Sequence, residues 1–176
     1  MAYRLLYPLR TYLVVSGRLG EEVNVMAADW VTVVSANPFI LAVAIAPTRY
    51  TYKLVEKYGE FVVSVPDKNM LRDVWIVGSE HGPEKLKKTR LELAPGKSVK
   101  TPIIRNALAN LECVVIGKHP YGDHVLYVGK VVAYSYREGA FVNFEPRLDA
   151  GFLAHVAMNK FTSISRELVE VREAIE

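Results

Sequence analysis

The sequence predicts a mainly β fold: an antiparallel barrel, closed or nearly so, with helices inserted between strands. Three observations predict it. Runs of β-branched and aromatic residues recur along most of the chain, bounded by Gly, Pro, Asn or Asp. Helical periodicity surfaces only in a few short stretches. Those stretches do not alternate regularly with strands, which argues against a doubly wound parallel sheet and for a barrel. At 176 residues, 51% of them hydrophobic, the chain suits one domain, spanning 1–176, with a sizeable core.

The elements follow in order. Tyr12–Ser16 is rich in β-formers, Gly17–Gly20 turns the chain, and Val23–Ala28 completes a hairpin. Trp30–Ser35 is a further strand that Asn37 and Pro38 break. Phe39–Ile45 is almost wholly apolar, as in a strand covered on both faces. Thr51 is expected to cap a helix bearing Leu54, Val55 and Tyr58, which Gly59 stops. Glu60–Val65 returns to strand. Asp67 is expected to cap a second helix with Met70, Leu71, Val74 and Trp75 on one face, ending near Gly78. A polar, lysine-rich loop follows, from Gly78 to Lys88. Thr101 and Pro102 look like a helical start. Leu111–Lys118 and His124–Tyr136 read as strands about the Pro120–Asp123 turn. Asp149–His155 suits a short helix and Ser165–Ile175 a C-terminal one.

The net charge of +3 is spread along the chain, too mild to imply nucleic acid or a membrane partner. The single Cys113 excludes an internal disulfide and reads as a buried thiol. The N-terminus lacks a signal-peptide pattern and no apolar run approaches a membrane span, so a cytoplasmic location is expected. No phosphate-binding glycine loop, no nucleophile elbow and no metal-ligand spacing among His81, His119, His124 and His155 is present, so no metal is expected. An enzyme of this kind would leave the difficult step to a bound cofactor.

Four segments carry possible chemistry. The small residues Ala27 and Ala28 before Asp29 and Trp30, and Ser35–Pro38 further on, suit either an ordinary barrel edge or close approach of a flat ligand. Thr51 at a helix start with Arg49 before it makes either an anion site or a plain cap beside a surface cation. The lysines of the Gly78–Lys88 loop form a solvated cluster or close over a phosphate. His124, opening a strand after Tyr121–Asp123, is a structural histidine or a polar group beside a redox ring.

Taken in order, these segments resemble the flavin-reductase-like family with its FMN-binding split barrel. The matching stretches are Asn24–Trp30, Ser35–Pro38, Arg49–Thr51, Glu60–Pro66, Gly78 with Ser79, Leu111–Cys113 and Gly122–Gly129. The resemblance covers roughly residues 10 to 165 and lies in the order of the motifs rather than in any one. It implies a Greek-key split barrel that pairs as a homodimer and binds FMN, with FAD as an alternative. Met26, Ala27, Ala28, Asp29 and Trp30, with Ser35, Ala36 and Asn37, would border the flavin ring. Arg49, Thr51 and Lys53 would hold the phosphate. Ser79, His81, Gly82 and Lys87 stand in the family's loop, where Glu80 and His81 depart from the usual pattern. Phe161 takes the place of a tyrosine that approaches the flavin and nicotinamide. The implied activity is NAD(P)H-dependent flavin reduction, with hydride passing to flavin N5, electrons to a second acceptor such as a monooxygenase partner, and His124 as the catalytic candidate. The alternative is an FMN-binding electron carrier of flavoredoxin type, without a nicotinamide site of its own.

Overall fold

The computed structural model describes residues 2–164. The helix expected at 165–175 lies outside them. The strands in chain order are β1 (Leu9–Arg10), β2 (Tyr12–Gly17), β3 (Val23–Ala28), β4 (Val31–Ser35), β5 (Ile40–Ile45), β6 (Glu60–Val65), β7 (Leu93–Ala94), β8 (Ile103–Ile104), β9 (Ala109–Tyr121), β10 (His124–Tyr136), β11 (Phe141–Val142), β12 (Glu145–Pro146), β13 (Leu153–Ala157) and β14 (Lys160–Ser163). Two α-helices, α1 (Tyr50–Tyr58) and α2 (Leu71–Ser79), are inserted among them.

Seven strands form one sheet in the order β3-β2-β6-β9-β10-β5-β4, the rolled sheet of a Greek-key split barrel. Each neighbouring pair is antiparallel. Its central strands are covered on both sides, which is why they read as continuous apolar runs. In β2, Leu13 and Val15 turn to a layer capped by Met70, Val74 and Val77. Val14 between them turns to the barrel interior with Val43, Phe61, Val63, Cys113 and Tyr127. Helix α1 closes that interior with Val55. Where Phe61 crosses Gly129 there is no spare room: a Cβ on Gly129 would lie 2.5 Å from the phenyl Cζ. Burial pushes the Cys113 thiol up to about 12, with Glu112 adding to it, so this cysteine is an inert core residue.

Several local expectations are corrected. Thr51 does not cap α1; Arg49 occupies that position without a side-chain cap bond, and Thr51 is buried one residue inside the helix. Asp67 caps instead a 3₁₀ turn, Lys68–Met70, its carboxylate accepting from Asn69 N at 2.9 Å, before α2 begins. Helix α2 ends at Ser79, near Gly78 as expected, but Pro83–Lys88 is a further 3₁₀ turn rather than loop. Thr101 and Pro102 start no helix. The Glu60 carboxylate accepts from Lys100 N and Thr101 N, holding that backbone away from helical bonding, and the next residues form β8. Helix is confined to the 3₁₀ turn Leu148–Ala150 in the Asp149–His155 stretch; Gly151, at φ 79, ends it and β13 follows.

Among the described residues, no helix is long and apolar enough to cross a membrane, and no group of three or more His, Cys, Asp or Glu is placed to hold a metal.

Candidate functional site

Strand β3 sits at the edge of the sheet and forms the floor of a cleft of about 260 Å³. Helix α2 packs on the same strand, with Gly78 so close that a Cβ there would lie 3.2 Å from the Ala27 methyl. The remaining walls come from the start of α1, the turn after α2, the end of β5, the N-terminal turn and the start of β10. Asn24 and Asp29 stand at opposite ends of the floor, about 16 Å apart at the rise of an extended strand.

The Asn24 end is cationic. Arg49, Thr51 and Lys85 line it. Because no side chain caps α1, the first amides of the helix remain available there, at the positive end of its dipole. The Arg49 guanidinium has no hydrogen bond or ion pair among the described residues. Lys85 is buried, and its ammonium donates to the carbonyls of Val77 (2.8 Å) and Glu80 (3.1 Å). Burial, and secondarily Arg49, push its pKa down to about 8. Asn24 is 1% exposed and donates from Nδ2 to Thr51 Oγ1 at 2.8 Å, but its Oδ1 has no partner. Exchanging the amide oxygen and nitrogen would serve Thr51 equally; either way one polar atom of this cleft-lining amide lacks a partner.

The Asp29 end is aromatic. Tyr3 meets Trp30 edge-on at 5.3 Å, and Trp30 lies 4.7 Å from the His124 ring. His124 bonds through Nδ1 to Asp123 (2.7 Å). The Asp29 carboxylate accepts from Tyr7 (3.0 Å) and Thr11 (2.8 Å) and bonds His155 Nδ1 (2.7 Å). Burial, then Asp29, push the Tyr7 phenol up to about 12. Beyond Asp29 lies a second compartment of about 220 Å³, sharing Ala27, Asp29 and Gly78 with the cleft. Phe161 stacks there on His155 at 4.7 Å.

Of the residues singled out from sequence, Met26, Ala27, Ala28, Asp29, Trp30, Arg49, Thr51, His81, Gly82 and His124 come together in the cleft. Ser79 and Phe161 line the second compartment. Ser35, Ala36 and Asn37 do not reach the cleft; they sit at the other end of the β4–β5 hairpin from Trp30. Lys53 lies outside it, over the Tyr50 ring. Lys87 is also outside, exposed and paired with Glu84; the loop lysine that enters is Lys85. Sequence reasoning missed Tyr3, Tyr7, Glu80 and His155. The signal for Lys85 was the periodicity of a 3₁₀ turn, in which Lys87 shares a face with Glu84 and leaves Lys85 to point elsewhere.

Comparison with known proteins shows the family. Residues 3–152 match the family model of the flavin reductase like domain. The chain belongs to the flavin reductase like family. An uncharacterized protein of Pyrococcus abyssi is 57% identical over 166 residues, covering 94% of this chain and 96% of that protein. The NADH-dependent flavin reductase of a Rhodococcus species is 28% identical, over 68% of this chain and 64% of its own. The reductase component of Thermus thermophilus 4-hydroxyphenylacetate 3-monooxygenase is 31% identical, over 67% and 71%. Among solved structures, the FMN-binding protein of Thermus thermophilus with bound 1-cyclohex-2-enone superposes with a TM-score of 0.88 at 29% identity, over 96% of this chain and 93% of that one. Flavoredoxin of Methanosarcina acetivorans gives 0.84 at 26%, over 95% and 90%.

The residues present fit a phosphorylated flavin. An orphaned buried amide, an unpaired guanidinium and a lysine bonded only to carbonyls gather at one end. Small and aromatic side chains stand at the other.

Proposed function

We propose that this protein binds FMN along β3, with the phosphate at the Arg49–Lys85 end and the ring at the Trp30 end, and works as an NAD(P)H-dependent flavin reductase. The observation that carries the reading is the polarity of the cleft. A cationic end with unmet hydrogen-bonding capacity and an aromatic end are held apart by one strand. When bound, FMN supplies the redox chemistry, as an acceptor of hydride from NADH or NADPH and a source of electrons for a second acceptor.

The chain's own residues bind and orient. Arg49 offers a bidentate fork, and the α1 amides and Lys85 offer further donors to phosphate oxygens. Ala27 and Ala28 let a flat ring approach the strand. Trp30 and Tyr3, packed edge-on, would cover its side. His124, held by Asp123, is the side chain placed to hold or give a proton at its ring Nε2. Positioning of this kind can contribute as much as roughly 7–11 kcal/mol to a bimolecular step.

The carrier reading has one observation in its favour. Polar groups of the second compartment are engaged within the protein: Asp29 takes three partners, both His155 ring nitrogens face oxygens, and Ser79 donates to Trp75 O. That leaves few donors for a nicotinamide carboxamide. The absorption spectrum of the purified protein, followed by anaerobic NADH and NADPH, tests both readings. Flavin that bleaches with either donor supports the reductase, flavin that binds without bleaching supports the carrier, and a protein that ignores FMN refutes both.

We also infer a homodimer. The outer face of β9 and β10 leaves Val114, Ile116 and Val132 exposed, an apolar surface that a second copy would cover. Light scattering of the wild type and of Ile116→Lys checks it: a dimer that the lysine splits is expected, and a wild-type monomer refutes it. A monooxygenase or another redox protein is the proposed electron-accepting partner.

A further inference from the structure

We propose that in alkaline solution the cationic end of the cleft takes up its anionic ligand together with a proton from solvent, and that Lys85 Nζ receives it. The inference rests on the reading that a phosphorylated flavin binds there.

Lys85 is buried, yet it forms no ion pair among the described residues. Of its three possible donors, two go to the main-chain carbonyls of Val77 and Glu80, and the residue lines the cleft. The charged groups around it give little compensation. On its own turn, Glu84 is paired with Lys87 and Lys88 with the Glu80 carboxylate. From the end of α2, only Glu80 favours the charged lysine. From the residue before α1, Arg49 opposes it. Tyr50 is turned to Glu22. From β3, the facing side chain is the neutral Asn24, and Asp29 stands at the far end of the strand. His81 is exposed at the rim. The protein's own groups therefore disfavour a proton on Lys85 that a bound dianion would favour. Independently of Lys85, the first amides of α1 face the same end, and the Asn24 amide, exchanged so that Thr51 donates to its oxygen, would add an N–H there.

The direction follows from linkage. In the free protein Lys85 is held down to about 8 by burial and Arg49. A phosphate brought against it raises that value. Proton uptake on binding is then small at neutral pH and grows above about pH 8, and affinity falls as pH rises through that value, by about tenfold per unit until the bound-state value is reached.

Calorimetric titration of the purified protein with FMN at pH 7, 8 and 9, each in two buffers of different ionisation enthalpy, reads the uptake directly. The FMN phosphate, with its second pKa near about 6, is fully ionised at the upper two values. Expected uptake is about half a proton per FMN at pH 8 and about 0.9 at pH 9. Riboflavin should show none. Lys85→Arg keeps a permanent charge and should show none with FMN, with an affinity flat in pH. Lys85→Met should bind FMN at least about tenfold more weakly at pH 7 while riboflavin changes by less than about threefold, which also shows that the cleft has kept its shape. The ¹³Cε resonance of wild-type Lys85 should titrate near 8 without FMN and well above it with FMN. FMN binding without uptake at pH 8 and 9, or uptake that persists in Lys85→Arg, overturns the proposal. If neither FMN nor riboflavin binds, the flavin reading itself falls, a distinct result.

Discussion

Glu112 and Lys85 are both buried and both carry charge, and the fold treats them in opposite ways. The Glu112 carboxylate is 1% exposed and accepts from the main-chain N–H of Lys97, Ser98 and Val99, at 3.0, 2.7 and 3.1 Å. Glu60 on the neighbouring strand takes Lys100 and Thr101 in the same manner. Two carboxylates thereby hold a loop that has little secondary structure of its own, and the bonds close within the protein. At the cleft, Lys85, Arg49 and Asn24 are left with capacity unused. A buried polar atom without a partner is costly and rare. Asn24 Oδ1 is one of four such atoms among the described residues, and the others, on Arg10, Arg18 and Thr101, lie away from the cleft. It is therefore the grouping of Asn24 with Lys85 and the exposed Arg49 that marks the site.

The largest expected effect breaks the closed region. Glu112→Ala strands three N–H groups and should lower the unfolding free energy by about 3 kcal/mol or more, read from urea denaturation. Gly129→Ala tests the barrel interior, where the added methyl meets the Phe61 ring; a loss of about 1–3 kcal/mol is expected. On the open side, Arg49→Ala should weaken FMN binding by about ten- to a hundredfold in a fluorescence titration while changing the stability of the ligand-free protein by less than about 1 kcal/mol. If Arg49→Ala unfolds the protein as readily as Glu112→Ala does, the separation of the two regions is wrong.

A pH measurement sharpens the comparison further. The folded, ligand-free value of Lys85, about 8, lies below that of the unfolded chain, near about 10.4. Between them the unfolded chain binds more protons, so Lys85 contributes unfolding free energy that rises with pH over that window. The difference between wild type and Lys85→Arg isolates this contribution: it should shift in favour of the wild type from pH 8 to 10 without ligand, and largely vanish with saturating FMN. The smallest effect is expected for Tyr7→Phe, which removes one of three partners of Asp29 and should cost about 1 kcal/mol.

The barrel was legible because its central strands are sandwiched: Leu13, Val14 and Val15 are all buried, so a continuous apolar run marks a strand. The stretches misread from sequence are those where a distant side chain overrides a local preference. Pro102 suits a helix start, but Glu60, some forty residues earlier, has claimed the adjoining amides. Asp149 begins a turn that Gly151 ends before a helix can form. The floor of the cleft, Met26–Trp30, was legible as small and aromatic residues at a strand end. Tyr3, Tyr7 and His155 were not, because Tyr7 and His155 reach the site only by converging on Asp29, and Tyr3 by packing on Trp30, across long stretches of chain. Lys85 and Lys87 are the same residue type two positions apart, and only the sense of a single 3₁₀ turn tells them apart.

The length of β3 has a consequence for selectivity. Its two ends recognise different chemical groups, and each on its own offers a small contact. Riboflavin and inorganic phosphate should occupy them together but weakly, as two independent guests. FMN joins the halves, so that docking of one end raises the effective concentration of the other at its own site. The association constant of FMN should approach the product of the two separate constants multiplied by that effective concentration, and so exceed either one alone; a flavin with its phosphate on a shorter chain should lose the gain.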